Sequence, residues 1–566
     1  MGYKESGLYA TEEWTEGEAE ILRRYFTNLE GPVFALVNLP EVVKGALFAR
    51  YSRSAKSLRR LFLDEFVGDL DISGDHSIDA TVGLDRAEQL YDKVFFEYGD
   101  DSVAQLGGVH LACEQASNLL TKAIEWSRLM AYMEKSTRYV AYDSRLENGR
   151  YRYYRDPLIL DSPLGARYVG DMDRLFDAYR DLLPVLQAYF TEQHPRGAGD
   201  SDFAWRRSVR AKAYDALRGM LPAAATSNLG IYASGQAYES LLVRLRAHPL
   251  PEARAYADLM LTELRKVIPS WVKRVDVDDR GVAWSAYLER NQGAMQDIAD
   301  ELLGATTDPV AVVDGGDPTV DLLEWDPDAE IKTVAAMLYP YSHLPEHRIE
   351  HEVAAMSADQ RLAVVRSYVG DRTNRRLKPG RALERCGYRF DVTSDYGAFR
   401  DLQRHRLLTI EWQNLTPTHG YALPAAVTEA GAADAYAATM QRSAGLHATL
   451  AQQFGPVQSA YAVALAFRIR YVMQFNSREA MHLLELRTGA AGHPEYRKVC
   501  QQMHRLIAEK AGHRALAELM RFVDHADYET AGLERLAGER RAESRRGPER
   551  TAPPDPSPAG SSVPSR

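Results

Sequence analysis

Residues 400–421 read RDLQRHRLLTIEWQNLTPTHGY, and residues 475–487 read FNSREAMHLLELR. The first stretch carries Arg404-His405-Arg406, two guanidiniums flanking an imidazole on a short piece of backbone. Arginine stays protonated at any working pH and presents a fixed fork of donors, which suits phosphates and other planar, oxygen-rich anions. The second stretch carries Asn476, Arg478, His482 and Arg487. On a helix of about 3.6 residues per turn Asn476 and Arg487 share a face, and Arg478 and His482 are neighbours. Met481, Leu483, Leu484 and Leu486 make that helix a buried one. Guanidiniums buried in it need anionic partners, either a ligand or the internal carboxylates Glu479 and Glu485.

Outward from these segments the chain divides into two parts that echo one another. The break is GATTDPVAVVDGGDPT (304–319), a turn-rich linker. The part before it, 30–303, opens with VFALVNLPEVVKGALFARYS (33–52), and the part after it, 320–537, with VDLLEWDPDAEIKTVAAMLYPYS (320–342). Each opening reads as an apolar strand, a Pro turn and a helix ending at Tyr-Ser. Each part later has a helix with Leu-Arg near its end, YESLLVRLRAH (238–248) and AMHLLELRTG (480–489). Repetition on this scale predicts two copies of one domain. Residues 1–29 form an N-terminal extension, and 538–566, rich in Pro, Ser, Gly and Arg, a disordered tail. GYRFDVTSD (387–395) alternates as a strand. ASNLLTKAIEWSRLMAYME (116–134) and YAVALAFRIRYVMQF (461–475) have the apolar spacing of helices. The predicted class is α+β, helix-rich, in two tandem domains.

Bulk properties exclude several functions. A chain of 566 residues has room for more than one domain. A net charge of -10 argues against a nucleic-acid polymer as partner. The acidic N-terminus lacks a signal region and no apolar run is long enough to cross a bilayer, so a cytoplasmic location without membrane contact is expected. Gly2 and Ser6 fit the loose myristoylation pattern without a supporting polybasic patch, and we read the fit as chance. Cys113, Cys386 and Cys500 are too widely spaced for a disulfide framework or a zinc knuckle.

Together the two clusters resemble the signature of the flavin-dependent thymidylate synthases: Arg-His-Arg, seven residues, then Ser-x-Arg. Neither part carries it whole. In the second part Arg404-His405-Arg406 is followed by Asn414 and Thr416 where Ser-x-Arg would stand. In the first, EKSTRY (134–139) supplies the family's Glu-x-Ser-x-Arg-Tyr, with Trp126, Ser127 and Arg128 at the Arg-His-Arg positions. ALRGMLP (216–222) adds Arg218. The losses are complementary. The resemblance implies that FAD is held by Arg404, His405, Arg406, Asn476, Arg478 and His482, and a uridylate by Glu134, Ser136, Arg138, Arg218, Arg246 and Arg404. Arg246 and Arg487, the late Leu-Arg of each part, are with Arg404 the implied catalytic guanidiniums. An ungapped count sets Gly235, Ala237 and Leu241 against Asn476, Arg478 and His482, and Ala460 against Arg218.

The activity so implied is methylation of dUMP at C5, with methylenetetrahydrofolate as carbon donor, reduced FAD as hydride source and NADPH to restore it. No cysteine nucleophile is implied. The family resembles homotetramers whose sites combine subunits, so a duplicated chain is expected to fold as a pseudo-dimer and pair as a homodimer. Two rivals stand beside this reading. One is a non-catalytic flavin- or nucleotide-binding scaffold of the same fold. The other is a metallopeptidase, because His347-Arg348-Ile349-Glu350-His351 fits H-x-x-E-H.

Overall fold

A computed structural model describes residues 3–6, 9–51, 56–65, 67, 105–138, 140–304, 316–530 and 532–546. After a short hairpin (β1, Tyr3–Ser6; β2, Tyr9–Glu12), each repeat is built on its own antiparallel sheet. The first holds β3 (Gly108–Ser117), β4 (Met130–Glu134) and β5 (Thr226–Ser234) in the order β3-β5-β4. The second holds β6 (Thr319–Trp325), β7 (Gly387–Asp395), β8 (Thr409–Trp412) and β9 (Arg468–Asn476) in the order β6-β7-β9-β8. Helices α1 (Asn118–Glu125), α2 (Gly165–Gln193), α3 (Asp202–Leu217), α4 (Gly235–Arg246), α5 (Pro251–Leu264) and α6 (Ala283–Leu303) belong to the first repeat. The second has α7 (Tyr396–Leu402), α8 (Ala433–Ser459), α9 (Ser477–Arg487) and α10 (Pro494–Glu509), followed by α11 (Leu536–Arg546).

The duplication holds at the level of single residues. Four strands run directly into helices, and at each junction a side chain caps the helix: Ser117, Ser234, Asp395 and Asn476 each accept a backbone N–H. These are residue types that satisfy the open donors of a first helical turn. Tyr132 faces Ile231 across the first sheet as Ile410 faces Met473 across the second. β3 is one residue longer than β7, and the surplus sits in a bulge between Cys113 and Ala116, where Gln115 takes φ 59°.

The repeats meet about a local two-fold axis. Arg218–Met220 and Ala460–Ala462 form matching single 3₁₀ turns, and the chains leaving them run antiparallel, with Pro222 opposite Ala464. The hydrogen bond from Ala223 N to Val463 O (2.8 Å) has its twin from Leu465 N to Leu221 O (2.9 Å). That from Ala224 N to Tyr461 O (3.1 Å) has its twin from Ala466 N to Gly219 O (2.8 Å). One chain therefore contains the interface that two separate subunits would otherwise share.

Several expectations need correction. Residues 461–475 are not a helix: 461–462 close a 3₁₀ turn, a tight turn from Ala464 to Phe467 follows, and β9 begins at Arg468. Residues 461–467 are buried throughout and carry no period, whereas β9 alternates, with Ile469, Tyr471, Met473 and Phe475 buried and Arg470 and Gln474 exposed. In 116–134 the helix ends at Glu125 and β4 follows. Residues 33–37 form only an isolated bridge, Phe26 to Leu36, so among the described residues the first sheet has no counterpart of β6. The tail is ordered to Arg546: α11 packs on α3, with Arg540 on Asp200 and Ser201 on Glu543 (2.8 Å). Residues 305–315 of the linker and 547–566 of the tail lie outside the described residues. No helix among the described residues is long and apolar enough to cross a membrane.

Candidate functional site

What each repeat has kept meets at the seam. Glu134 ends β4, and from the second repeat Arg400 donates to one of its oxygens (2.6 Å) while Arg404 approaches the other (2.9 Å). Lys122 of α1 approaches from behind (3.3 Å) and also holds Glu125. Asp401, on α7, lies 3.1 Å from Arg218, 3.7 Å from Arg404 and 3.8 Å from Arg487. Glu134 and Arg218 of one repeat are thus wired to Arg404 and Arg487 of the other.

Nearby, Arg138 grips Asp215 with two donors (2.8 and 2.7 Å) and donates to Tyr496 Oη (2.9 Å), while Arg535 shares Asp215 (2.7 Å). Ser136 sits between Glu134 and Arg138, its Oγ accepting Arg138 N at 3.2 Å. Lys122, Arg400, Asp401, Asp215 and Tyr496 were not singled out from sequence. Arg400 and Asp401 lie within one helical turn of Arg404, which is the signal that could have found them.

The charges do not balance. Five cations (Lys122, Arg218, Arg400, Arg404, Arg487) surround three carboxyls (Glu125, Glu134, Asp401). Burial would raise the Glu134 carboxyl, but Arg400, Lys122 and Arg404 outweigh it and hold it well below the usual carboxylate range. Asp401 is likewise driven down against burial by Arg404, Arg218 and Arg487. Glu125 goes the other way, raised by burial. Buried Nε atoms of Arg218, Arg400 and Arg404, and Arg218 Nη2, have no hydrogen-bond partner. Buried guanidiniums in excess, with donors unused, call for a further anion.

The second cluster faces a groove of about 720 Å³. Arg406, Asn476, Arg478 and His482 line it together with Arg128, Lys378, Arg381 and Arg385. Asn476 also caps α9, and Arg406 is steadied by the Met130 carbonyl, Arg478 by Pro379 O (3.0 Å). His405 lies behind the groove: Arg487 Nε donates to its Nε2 (3.0 Å), and its Nδ1 meets Glu479 at 2.8 Å. Burial and then Arg487 push His405 well below its ordinary value, so it is neutral, and Nδ1 carries the hydrogen. Burial lifts Glu479 to about 7 against Lys378 and Arg478. Glu485 does not serve α9's arginines; Arg372 takes it with two donors (2.7 and 2.6 Å).

Arg246 is not part of this assembly. It pairs with Asp258 (2.9 Å) and Asp276 (2.5 Å) on the far side of α4. Counting from the caps Ser234 and Asn476, its counterpart is Thr488, and Leu245 is that of Arg487. The same register sets Ser234, Gln236 and Ser240 against Asn476, Arg478 and His482, one residue off the ungapped count. Arg244 is the residue that touches Ser127, the counterpart of His405 (2.9 Å). Ala460 does stand opposite Arg218, each opening its 3₁₀ turn.

Beside Arg218 lies a cavity of about 340 Å³, walled by Asp215, Gly219, Asp395, Glu495 and Arg535. As for metals, His405, Glu479 and His482 are the one group of His, Cys, Asp or Glu among the described residues that converges closely. Both nitrogens of His405 are already engaged, and Lys378, Arg478 and Arg487 oppose a divalent cation there. His347 and His351 stand exposed on the helix Glu346–Ala355 and join no such group. All three cysteines are buried, with Cys113 pushed up to about 11 by burial, which leaves no activated thiol among them.

Two stretches, 50–270 and 321–512, match the sequence profile of the Thy1 family, described as thymidylate synthase complementing protein. A UPF0159 protein of Chlamydia pneumoniae is 37% identical over 530 residues, covering 93% of this chain and 98% of that protein. Another, from Thermoplasma acidophilum, is 30% identical over 526 residues, covering 88% and 97%. A solved structure of a UMP/dUMP methylase, PolB from Streptomyces cacaoi bound with 5-Br dUMP, is 16% identical. It aligns with a TM-score of 0.30 over 37% of this chain and 98% of that one.

Proposed function

The chain belongs to the thymidylate synthase complementing protein family, and we propose that it is a flavin-dependent methyltransferase acting on dUMP or a closely related uridylate. The observation that carries this reading is the Glu134–Arg404 contact made within one chain, next to an arginine cluster short of negative charge. The nucleotide supplies the missing anion. Arg138, Arg218 and Ser136 hold its phosphate and sugar from the first repeat, and Arg404 and Arg487 face its pyrimidine from the second.

C5 of uracil is a weak nucleophile, so attack from it requires that negative charge on the ring carbonyls be stabilised. Fixed guanidiniums in a water-poor site do this without reorganising. Neutral His405 acts as a positioning residue: by accepting from Arg487 Nε it aims the remaining donors of that guanidinium. The arginine-lined groove has the donors to take the pyrophosphate of FAD, and Phe475, Leu407 and Leu408 beside it offer an apolar wall for the ring. When bound, reduced FAD supplies the hydride that, with carbon from methylenetetrahydrofolate, completes the methyl group, and NADPH restores it.

Asp401 and Asp215 favour the rival scaffold reading, because they already occupy guanidiniums that a nucleotide would use. The test is the full chain with FAD, NADPH, methylenetetrahydrofolate and dUMP tritiated at C5. Tritium release with formation of dTMP is the expected result. Bound flavin, seen as visible absorbance, with neither release nor product for dUMP or UMP would replace the enzyme with the scaffold.

A further inference from the structure

Helix α6 is 21 residues long, about 31 Å at 1.5 Å per residue, and holds no buried residue. Its start is tied to the body, with Ser285 Oγ donating to Val243 O of α4 at 3.1 Å. From Glu289 onward every residue but Ala299 is exposed. A lone helical segment of that length is marginal in water. It also lies outside both stretches that match the family profile.

Its sequence has a seam. Trp284, Leu288, Asn291, Met295, Ile298 and Leu302 follow one another at alternating steps of four and three, the spacing of a two-stranded coiled coil. Trp284, Met295, Ile298 and Leu302 are 47%, 61%, 46% and 74% exposed. The positions flanking the seam are Ser285, Tyr287, Gln292, Ala294, Ala299 and Glu301, only one of them charged. The other charges, Glu289, Arg290, Asp297 and Asp300, fall on the outer face. The three acids of the second half would repel in a parallel pair. Turned antiparallel, they lie away from one another, beside the half in which Glu289 and Arg290 cancel, and Tyr287 meets Glu301.

We propose that α6 is a dimerisation helix, pairing antiparallel with α6 of a second copy of this chain. Trp284 then packs against Leu302, Leu288 against Ile298, and Asn291 against Met295, each across the pair.

Sedimentation of the full chain at micromolar concentration should give a dimer. Met295→Glu with Ile298→Glu, far from the ion-pair network, should weaken it by roughly 100-fold or more, since two charges enter an apolar seam. Circular dichroism would check that the fold is kept. Gln292→Cys supplies an independent readout. In the antiparallel pair position 292 faces its own counterpart, so mild oxidation should yield a covalent dimer, and the three native cysteines are buried. A monomeric wild type, a double variant that stays dimeric, or a Gln292→Cys variant that never cross-links would each overturn the proposal. None of these outcomes depends on dUMP turnover.

Discussion

The two repeats solve one packing problem in opposite ways. Across the axis, the second residue of each 3₁₀ turn is set against the other repeat, Tyr461 in one case and Gly219 in the other. Tyr461 enters the first repeat and donates to Glu252 (2.8 Å), which also takes Ser117 Oγ (2.6 Å) and Ser117 N (2.9 Å). The matching residues around the second repeat are Gly219, Asp395 and Glu495. No hydroxyl donates to Glu495 there, its Oε2 is left without a partner, and the 340 Å³ cavity opens. The groove shows the same contrast. Gly107 and Gly235 leave room for the buried indole of Trp271, whereas Cys386 and Ser477 at those places face one another at 2.8 Å beside an open groove. One repeat has been filled and the other kept hollow. After duplication, each half of an interface is free to lose what the other supplies.

The largest expected effect comes from cutting the link between repeats. Glu134→Ala leaves Arg400, Arg404 and Lys122 without their shared carboxylate, and breaking a buried pair costs roughly 3–5 kcal/mol. Chemical denaturation should show that loss, and nucleotide turnover should disappear with it. Next comes Tyr461→Ala, which gives the first repeat the hollow of the second. The lost packing costs about 3–4 kcal/mol, read as a lower denaturation midpoint with an unchanged slope. A loss below about 1 kcal/mol would mean that Tyr461 is not what fills the first repeat.

Asp401→Asn is smaller in stability, about 1–3 kcal/mol, and sharper in meaning. It frees Arg218, Arg404 and Arg487 from their internal anion. Affinity for dUMP should then rise while the free protein softens, with dUMP restoring the loss by mass action. Calorimetric titration checks both. Unchanged affinity would remove Asp401 from competition with the nucleotide.

The duplication and the family were legible in the sequence. The residues that identify the family are local, so their split between two parts could be read directly, and GYRFDVTSD has the limits of β7. What failed has physical causes. Asp401 meets Arg218 across 183 residues, and no local pattern announces such a pair. In YAVALAFRIRYVMQF the first seven residues lie between the repeats, buried throughout and without a period, and they mask the alternation of β9 that follows in the same apolar run. Matching Leu-Arg with Leu-Arg put Arg246 beside Arg487, but helix phase is set by the cap, one residue away from what the letters suggest.

The smallest effect is a pH dependence that should tell the repeats apart. Burial, and then Asp395, lift Glu495 to about 8 from an ordinary 4.5, whereas burial lifts Glu252 to about 7 against the donors Ser117 and Tyr461. A carboxyl raised in the folded chain holds its proton there while the unfolded chain has lost it. Folding then binds protons, and stability falls as pH rises from about 4.5 to the folded value. Both repeats contribute up to about pH 7, and beyond it only the hollow one does. Glu495→Gln should therefore flatten the decline through pH 8, while Glu252→Gln should alter only the part below 7. Urea midpoints measured from pH 5 to 8 decide it. If the two variants flatten the same range, the cavity wall is no less satisfied than the filled site, and the contrast between the repeats lies in shape alone.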